Sequence, residues 1–329
     1  MINDEIESLP IVVLMPHSSC NCRCIMCDIW KDNNDQKSLN MEDIRQLIRS
    51  FRQLKTKWVV MSGGEALMNN KLFFFCKALQ EEGIKITLLS TGLLLKKYAT
   101  EVVQNTNEVI VSLDGSEQTH NSIRGLPNAY KKLADGVRAV KLLKHDFPIT
   151  ARCVIQRQNY ADWMNIISST QKLGIDQISF LAADVSSDAF NRAGDEDENR
   201  NIAVLPQRQE LTSLKLMVEK VIANCQYEIS SGFIAESAKK LQKIVEYYGA
   251  LHAQNPFPSV KCNAPWVSVS IEADGTVRPC FFHKKIGNIR NLSLGELLNS
   301  PEAIDFRRNL NVSNNEICRK CVCTLNYKP

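Results

Sequence analysis

Short apolar runs rich in β-branched residues recur through the first part of the chain. Six of them are candidate strands: Ile11–Met15, Trp58–Ser62, Lys85–Ser90, Val109–Leu113, Ile149–Ile155 and Gln177–Leu181. They show little of the polar alternation of a half-exposed sheet, which is typical of parallel strands that are buried on both faces.

The segments between these runs place apolar residues at helical spacing. Met41, Ile44, Leu47 and Phe51 form one such stripe, and Asn40 just before it is a candidate N-cap. The alternation of strands and helices predicts βα units with a parallel sheet and right-handed crossovers. We therefore expect an α/β fold, a partial (β/α)6 TIM-like barrel, with its site at the carboxyl ends of the strands.

The pattern changes after the sixth run. Residues Ala182–Asn201 hold few large apolar side chains and include the acidic run Asp195–Glu198, so we expect a linker or an active-site loop there. Two helical stripes follow before a cysteine-rich end. We predict a barrel core at residues 8–185, a linker with inserted helices at 186–258, and a small C-terminal domain at 259–329.

Charge and hydropathy exclude several classes of partner. The net charge of +4 comes without a basic run, so we expect no nucleic acid. No apolar stretch approaches the roughly 18 residues of a membrane span, and we expect no membrane contact and a cytoplasmic location. In a reducing compartment, the 12 cysteines indicate metal binding rather than disulfide bonds.

Three of these cysteines follow the first strand with the spacing C-x3-C-x2-C, namely Cys20, Cys24 and Cys27. Three thiolates on one short loop can bind three irons of a cubane cluster and leave the fourth iron open for another ligand. A structural zinc site is the alternative, but it requires four ligands.

The run from Cys20 to Cys27 resembles the cluster loop of the radical S-adenosylmethionine (SAM) superfamily. The resemblance implies that a 4Fe-4S cluster binds SAM through its open iron, and that the reduced cluster cleaves SAM to a 5′-deoxyadenosyl radical. Two residues depart from the family pattern: Met26 replaces a common aromatic residue, and Cys22 replaces leucine or methionine. We interpret Cys22 as a packed thiol.

Other strand ends resemble the same family, and the resemblance covers about Ile11 to Leu181. It implies that Gly63, Gly64 and Glu65 bind the methionine ammonium, Glu65 through its carboxylate. Ser90 begins a turn that resembles the family's Thr-Asn-Gly segment, and Ser112 begins a Ser-x-Asp-Gly segment. We place Ser90 and Ser112 in the SAM site with Arg152, which can pair with a carboxylate of SAM or substrate or lie exposed at a strand end. Asp114 either belongs to this site or stabilises its own turn.

A second set of cysteines lies near the C-terminus, comprising Cys262, Cys280, Cys318 and Cys321. Four cysteines in two pairs can close a zinc site as well as a cluster. The residues Trp266–Ile271, the Asp274-Gly275 turn and Val277 predict a β-hairpin, with a helix near Leu294–Leu298.

This segment resembles the SPASM domain and its shorter relative, the twitch domain, in radical SAM enzymes. The resemblance implies one auxiliary 4Fe-4S cluster that is ligated by the four cysteines, although spacing alone lets Cys323 replace Cys321. A flavodoxin or ferredoxin is the electron donor that the family implies.

The expected reaction is hydrogen abstraction from a small molecule, such as a sugar, aminocyclitol or nucleoside. Dehydrogenation would use the auxiliary cluster as an electron acceptor, whereas epimerisation would need a thiol donor among Cys76, Cys153 and Cys225. The first strand begins near Ile11, which leaves no room for an N-terminal peptide-recognition domain, so modification of a ribosomally made peptide or protein is the second hypothesis. A non-catalytic iron–sulfur or zinc protein is the third. No catalytic acid or base can be assigned from the sequence.

Overall fold

A computed structural model describes residues 4–187, 189–191 and 198–328, with residues 198–200 described by their backbone alone. The strands in this part of the chain are β1 Ile11–Leu14, β2 Trp58–Met61, β3 Lys85–Ser90, β4 Glu108–Ser112, β5 Ile149–Ile155, β6 Gln177–Ala182, β7 Ser268–Ile271, β8 Thr276–Arg278 and β9 Gly287–Asn288. They form a single sheet in the order β6-β5-β4-β3-β2-β1-β7-β8-β9. Strands β1 to β6 pair in parallel, which confirms the six predicted βα strands.

Helices connect these strands and surround the sheet. They are α1 Met41–Gln53, α2 Leu72–Gln80, α3 Ala99–Asn105, α4 Glu117–Arg124, α5 Ala129–Leu143, α6 Trp163–Lys172, α7 Glu198–Val204, α8 Leu211–Asn224, α9 Gln226–Ser230, α10 Ala238–Leu251, α11 Ala264–Val267, α12 Leu294–Leu298, α13 Pro301–Asn309 and α14 Glu316–Arg319. Short 3-10 turns lie at Ile29–Asp32, Ala66–Met68, Tyr160–Asp162 and Arg208–Glu210. Among the described helices, none is both long and apolar enough to cross a bilayer.

Helix α1 begins where the sequence predicts. The Asn40 side chain accepts hydrogen bonds from the backbone of Glu42 and Asp43, and the Asp43 side chain accepts from the Asn40 backbone, which completes a capping box. The predicted stripe packs inward, since Ile44, Leu47 and Phe51 are buried.

The C-terminal hairpin continues the barrel sheet, which periodicity does not predict. Strand β7 pairs in parallel with β1, so that Leu14 lies opposite Ile271, and β8 and β9 follow in antiparallel order. The predicted first strand of this hairpin is too long, because Trp266 belongs to helix α11. Strand β1 therefore has the barrel on one side and the C-terminal domain on the other.

The segment predicted as a loop contains a helix. Strand β6 extends to Ala182, and residues 183–187 and 189–191 have no helix or strand, as expected. Helix α7 then covers Glu198–Val204 and corrects the loop prediction, because Val204 is buried and its carbonyl accepts a hydrogen bond from the Arg157 amide. Most of the acidic run, residues 195–197, lies outside the described residues.

The inserted helices α8 and α10 support the strand ends. Tyr248 on α10 is fully buried, and its hydroxyl donates to the Ile155 carbonyl at the end of β5. The same hydroxyl accepts a hydrogen bond of 2.8 Å from the amide of Ala183, just after β6. One phenol therefore satisfies two buried backbone groups at the edge where the site lies.

Tyr248→Phe is expected to lower the free energy of unfolding by about 2 kcal/mol, because it leaves a buried donor and a buried acceptor unpaired. Urea denaturation under anaerobic conditions measures this change. Tyr227→Phe is the matched control. The Tyr227 side chain is 79% exposed, so the loss of its hydroxyl should leave the free energy of unfolding unchanged. Equal stability of the two variants would contradict the role of Tyr248.

Candidate functional site

A cavity of about 220 Å³ lies at the carboxyl ends of the parallel strands. Its wall contains all three cysteines of the N-terminal loop, Cys20, Cys24 and Cys27. The wall also contains the strand-end residues that the sequence pointed to, which are Gly63, Gly64, Ser90, Ser112 and Arg152. Residues from five strand ends therefore meet at one cavity, as the barrel prediction requires.

The cysteine loop is fixed at several points along its backbone. The Asn33 side chain accepts from the Cys20 amide and donates to the Cys20 carbonyl, both at 2.9 Å. Further along, the amides of Arg23 and Ile25 donate to carbonyls at the end of helix α4. The three thiols thus project from a backbone that is held on both sides.

Cys22 differs from the other three cysteines of the loop. Its side chain is 1% exposed and does not line the cavity. Hydrogen bonds with Cys20 and Cys24, together with burial, raise the pKa of the Cys22 thiol. The geometry supports its interpretation as a packed thiol that donates to its neighbours.

Cys24 is placed to be a thiolate. Its pKa is lowered to about 6, first by the hydrogen bond with Cys22 and further by the positive charge of Arg124, against the opposing effect of burial. Since thiolates are the form that binds iron, this environment fits a cluster ligand.

The double glycine after β2 is required by the close approach of the cysteine loop. A Cβ on Gly64 would lie 2.3 Å from the Ser19 carbonyl oxygen, which is closer than non-bonded atoms approach. That same carbonyl accepts a hydrogen bond of 2.9 Å from the Glu65 amide. Any side chain at position 64 would therefore displace the loop that carries the cysteines.

The Glu65 carboxylate is fully buried, and protein donors surround it. One oxygen accepts from the Thr91 amide at 2.7 Å, the Thr91 hydroxyl at 2.5 Å and the Ser90 hydroxyl at 3.1 Å, and the other from the Leu67 amide at 3.1 Å. Burial raises the pKa of Glu65, and the hydrogen bonds oppose this rise. The carboxylate joins the ends of β2 and β3, so its expected contact with the methionine ammonium stays a prediction.

Ser112 and Arg152 are neighbours across the sheet. They lie opposite each other in the register of β4 and β5, and both line the cavity. The Nε atom of Arg152 is buried without a hydrogen-bond partner. A buried, unpaired donor in a cavity wall is suited to an anionic or carbonyl group of a ligand.

The cavity wall also contains residues that sequence reasoning did not assign to the site, among them Arg124 and Val322. Asp184 and Phe190 lie in the segment that was predicted as a linker or an active-site loop. Arg124 donates to the Cys24 sulfur at 3.4 Å and forms a salt bridge with Asp114, which is fully buried. Asp114 also accepts from the Val154 amide at 3.1 Å, so it does not stabilise its own turn alone. No local pattern could reveal a contact between side chains 100 positions apart.

The C-terminal cysteines form a second group. The thiols of Cys262 and Cys280 interact electrostatically with each other and with those of both Cys318 and Cys321. Burial raises the pKa of Cys280 to about 12 and that of Cys318 to about 11, and neighbouring thiols add to both. Deprotonation of these neighbouring thiols becomes favourable only when cations bind between them.

Cys323 differs from these four in being exposed, but it adjoins Cys321, whose thiol donates to the Cys323 carbonyl at 3.1 Å. Burial raises the pKa of Cys321, which interacts electrostatically with Cys323, Cys280 and Cys262. In the described residues, no three His, Cys, Asp or Glu side chains converge on a position for a single metal ion. A cubane binds its cysteines through separate irons, and four thiols are the donor set that it takes.

The C-terminal domain reaches the cavity of the barrel. Val322, which lies between Cys321 and Cys323, is part of the wall that contains Cys20 and Cys24. Phe190 lines the same cavity, and its ring lies 5.0 Å from that of Phe281, the residue after Cys280. The C-terminal domain therefore contributes to the wall of the cavity that the N-terminal cysteines line.

Comparisons with known proteins identify both cysteine-bearing segments of the chain. The profile of the radical SAM superfamily matches residues 14–170, and that of SPASM, an iron–sulfur cluster-binding domain, matches residues 262–322. A probable GTP 3′,8-cyclase of Saccharolobus islandicus is 23% identical over 80% of this chain and 80% of its own. An AdoMet-dependent heme synthase of Methanosarcina barkeri is 22% identical over 48% of this chain and 46% of its own.

Solved structures share the fold at low identity. SuiB of Streptococcus suis, bound to the precursor peptide SuiA, superposes with a TM-score of 0.69 at 13% identity and covers 98% of this chain and 72% of its own. The enzyme anSMEcpe with bound AdoMet gives a TM-score of 0.67 at 18% identity, over 94% of this chain and 86% of its own. The cofactors of such a chain are a catalytic 4Fe-4S cluster, SAM and auxiliary iron–sulfur clusters in the C-terminal domain. The profiles, the fold and both cysteine groups show that the chain is a radical SAM protein with a C-terminal SPASM domain.

Proposed function

We propose that this chain oxidises a small-molecule substrate by hydrogen abstraction in the cavity between the barrel and the SPASM domain. When bound, the catalytic cluster and SAM supply a 5′-deoxyadenosyl radical, and an auxiliary cluster supplies a one-electron acceptor.

The main support for this proposal is the position of Val322 in the cavity wall. Because Val322 lies next to Cys321 and lines the cavity that also holds Cys20, Cys24 and Cys27, a substrate in the cavity would contact the auxiliary domain directly. A substrate in that position could pass an electron to the auxiliary domain without a further carrier. We assign Cys262, Cys280, Cys318 and Cys321 to a single auxiliary 4Fe-4S cluster, and Cys20, Cys24 and Cys27 to the catalytic one.

The oxidation balances without another reactant. With SAM and both clusters bound, one hydrogen atom would be removed from an alcohol carbon of the substrate and would leave in 5′-deoxyadenosine. The substrate would then give up its hydroxyl proton to a base and one electron to the auxiliary cluster, which would leave a carbonyl group. Asp184 is the candidate proton acceptor, since it is the carboxylate among the described residues of the cavity wall.

We assign the remaining wall residues to binding and orienting SAM and the substrate. Gly63, Gly64 and Ser90 form the edge at which we place the methionine moiety, with Ser112 beside it. Arg152 offers its unpaired Nε to a carboxylate of SAM or to an oxygen of the substrate. The curated relatives named as GTP 3′,8-cyclases act on a nucleotide by name, which supports a small molecule.

Peptide modification is the second candidate. It is favoured by the likeness in fold to SuiB, which was solved with a precursor peptide, and to anSMEcpe, which was also solved with a peptide. Epimerisation finds no support in the cavity wall, because Cys76, Cys153 and Cys225 are buried elsewhere. An electron donor such as flavodoxin or ferredoxin, and a cytoplasmic location, stay predictions.

The ligand assignment in the SPASM domain predicts a difference between two neighbouring cysteines. After anaerobic reconstitution, wild type and Cys323→Ala should each contain about eight irons per chain, because we assign the exposed Cys323 no ligand role. Cys321→Ala should lose the auxiliary EPR signal or broaden it strongly and bind less iron. Iron and sulfide analysis with EPR measures this, and loss of the cluster in Cys323→Ala with retention in Cys321→Ala would reverse the assignment.

The oxidation itself is tested by separating SAM cleavage from product formation. Nucleosides, sugars and aminocyclitols are screened with the reduced holoenzyme, and a product two hydrogens lighter is sought by mass spectrometry. With that substrate, Cys318→Ala should still form 5′-deoxyadenosine but yield at most about a tenth of the oxidised product, because the electron has no acceptor.

Two results would contradict this function. Unchanged product formation in Cys318→Ala would remove the auxiliary cluster from the reaction. Turnover of peptides together with failure of every small molecule would establish the second candidate instead. Cys323→Ala is the matched control and should retain both activities.

A further inference from the structure

The side chain of Arg124 joins a cysteine of the N-terminal loop to a buried carboxylate. Its Nη1 donates to the Cys24 sulfur at 3.4 Å, and its Nη2 pairs with Oδ2 of Asp114. The arginine side chain is 8% exposed and the Asp114 side chain is inaccessible to solvent. This is therefore a buried arrangement in which solvent screens the charges weakly.

Asp114 is fixed by strand β5 rather than by the arginine alone. Its Oδ1 accepts a hydrogen bond of 3.1 Å from the Val154 amide, and its backbone carbonyl accepts from the Asn159 side chain at 2.9 Å. The Asp114 carboxylate is therefore held in place by contacts other than the arginine. It is the first of three charged groups in contact, followed by the Arg124 guanidinium and the Cys24 thiolate.

The backbone around Arg124 is also attached to the cysteine loop. The amides of Arg23 and Ile25 donate to the carbonyls of Arg124 and Ile123, at 2.9 and 3.2 Å. Those carbonyls belong to the last turn of α4 and would otherwise lack partners. Gly125 ends the helix with a φ of 64°, and a Cβ there would lie 2.4 Å from the Arg23 carbonyl oxygen.

Helix α4 therefore contacts the cysteine loop in two independent ways, through its backbone carbonyls and through the Arg124 side chain. The backbone contact sets the position of the loop. The side-chain contact adds a positive charge and a donor to one of its sulfurs. Hydrogen bonds to ligand sulfurs and nearby charges are among the factors that set the reduction potential of an iron–sulfur cluster.

We infer that Arg124 is a positioning residue that acts through Cys24, and that the Asp114–Arg124–Cys24 line raises the reduction potential of the catalytic cluster. A cationic donor stabilises the more negative, reduced state of a cluster more than the oxidised state. Asp114 has the opposite sign: it holds the guanidinium in place and partly cancels its charge. The inference rests on the assignment of Cys24 as a cluster ligand, and it does not depend on which substrate is oxidised.

The test is an EPR-monitored redox titration of the reconstituted holoenzyme without substrate. The signal that changes on addition of SAM reports the catalytic cluster. In Arg124→Gln, the midpoint potential of this signal should be more negative than in wild type. At a fixed solution potential, the ratio of reduced to oxidised cluster should fall about tenfold, as expected for the loss of a charge-assisted hydrogen bond. Arg124→Lys should lie between Arg124→Gln and wild type.

Asp114→Asn distinguishes electrostatic tuning from a purely structural role. With the carboxylate neutralised and Arg124 retained, the midpoint should move to a more positive potential, opposite to Arg124→Gln. Arg23→Gln is the matched control, because the Arg23 side chain is exposed on the same loop. It removes the same charge without changing a contact to sulfur and should leave the potential unchanged.

The inference is overturned if Arg124→Gln keeps the wild-type potential, if Arg23→Gln shifts it equally, or if Asp114→Asn shifts it in the same direction as Arg124→Gln. Where Arg124→Gln binds no iron, Arg124→Lys decides: a more negative midpoint supports the inference and an unchanged one contradicts it. These potentials are measured without turnover, so failure of the proposed oxidation leaves them interpretable. A normal oxidation reaction with unshifted potentials would contradict this inference alone.

Discussion

The pairing of β1 on both of its edges is the constraint on which the site depends. Leu14, at the end of this strand, lies opposite Met61 of β2 and opposite Ile271 of β7. The Met15 amide donates to the Ile271 carbonyl, and the Ser62 amide donates to the Leu14 carbonyl, each at 2.8 Å. The cysteine loop thus leaves the sheet between the barrel and the C-terminal hairpin, and its three thiols line a cavity that Val322 of the C-terminal domain also lines.

The two cysteine groups differ in how they are prepared for metal. In the N-terminal loop, Cys22 and Arg124 lower the pKa of Cys24 to about 6, so that a thiolate is favourable near neutral pH. In the SPASM domain, burial raises the pKa of Cys280 to about 12, and its thiolate therefore requires bound cations. We expect assembly of the auxiliary cluster to be coupled to the local order of its domain, and the catalytic loop to be preformed by its hydrogen bonds.

Local sequence patterns predicted much of the fold. The six parallel strands, helix α1 with its Asn40 cap and the short helix Leu294–Leu298 all follow from periodicity and capping chemistry, which depend on neighbouring residues. The pairing of β7 with β1 was not predictable in this way, because a sheet edge accepts a strand from any part of the chain. Helix α7 was missed because its seven residues carry little periodicity.

The same distinction applies to the site. Cysteine spacing and the strand-end motifs identified eight residues of the cavity wall, since parallel strands end at one edge. The contact of Arg124 with Cys24 and the four hydrogen bonds of Glu65 join residues that are far apart in sequence or were assigned other roles. Burial and distance, which only the folded chain provides, decide whether such a side chain contacts a ligand or braces the residues that do.

The central claim is that both clusters border one cavity, and magnetic interaction between them tests it most directly. EPR spectra of the fully reduced wild type are compared with those of Cys318→Ala and of the Cys20/Cys24/Cys27→Ala variant, each of which should retain one cluster. Close clusters predict that the wild-type spectrum is split or broadened and relaxes faster than the sum of the two single-cluster spectra. A wild-type spectrum equal to that sum, with both clusters fully reduced, would contradict the account.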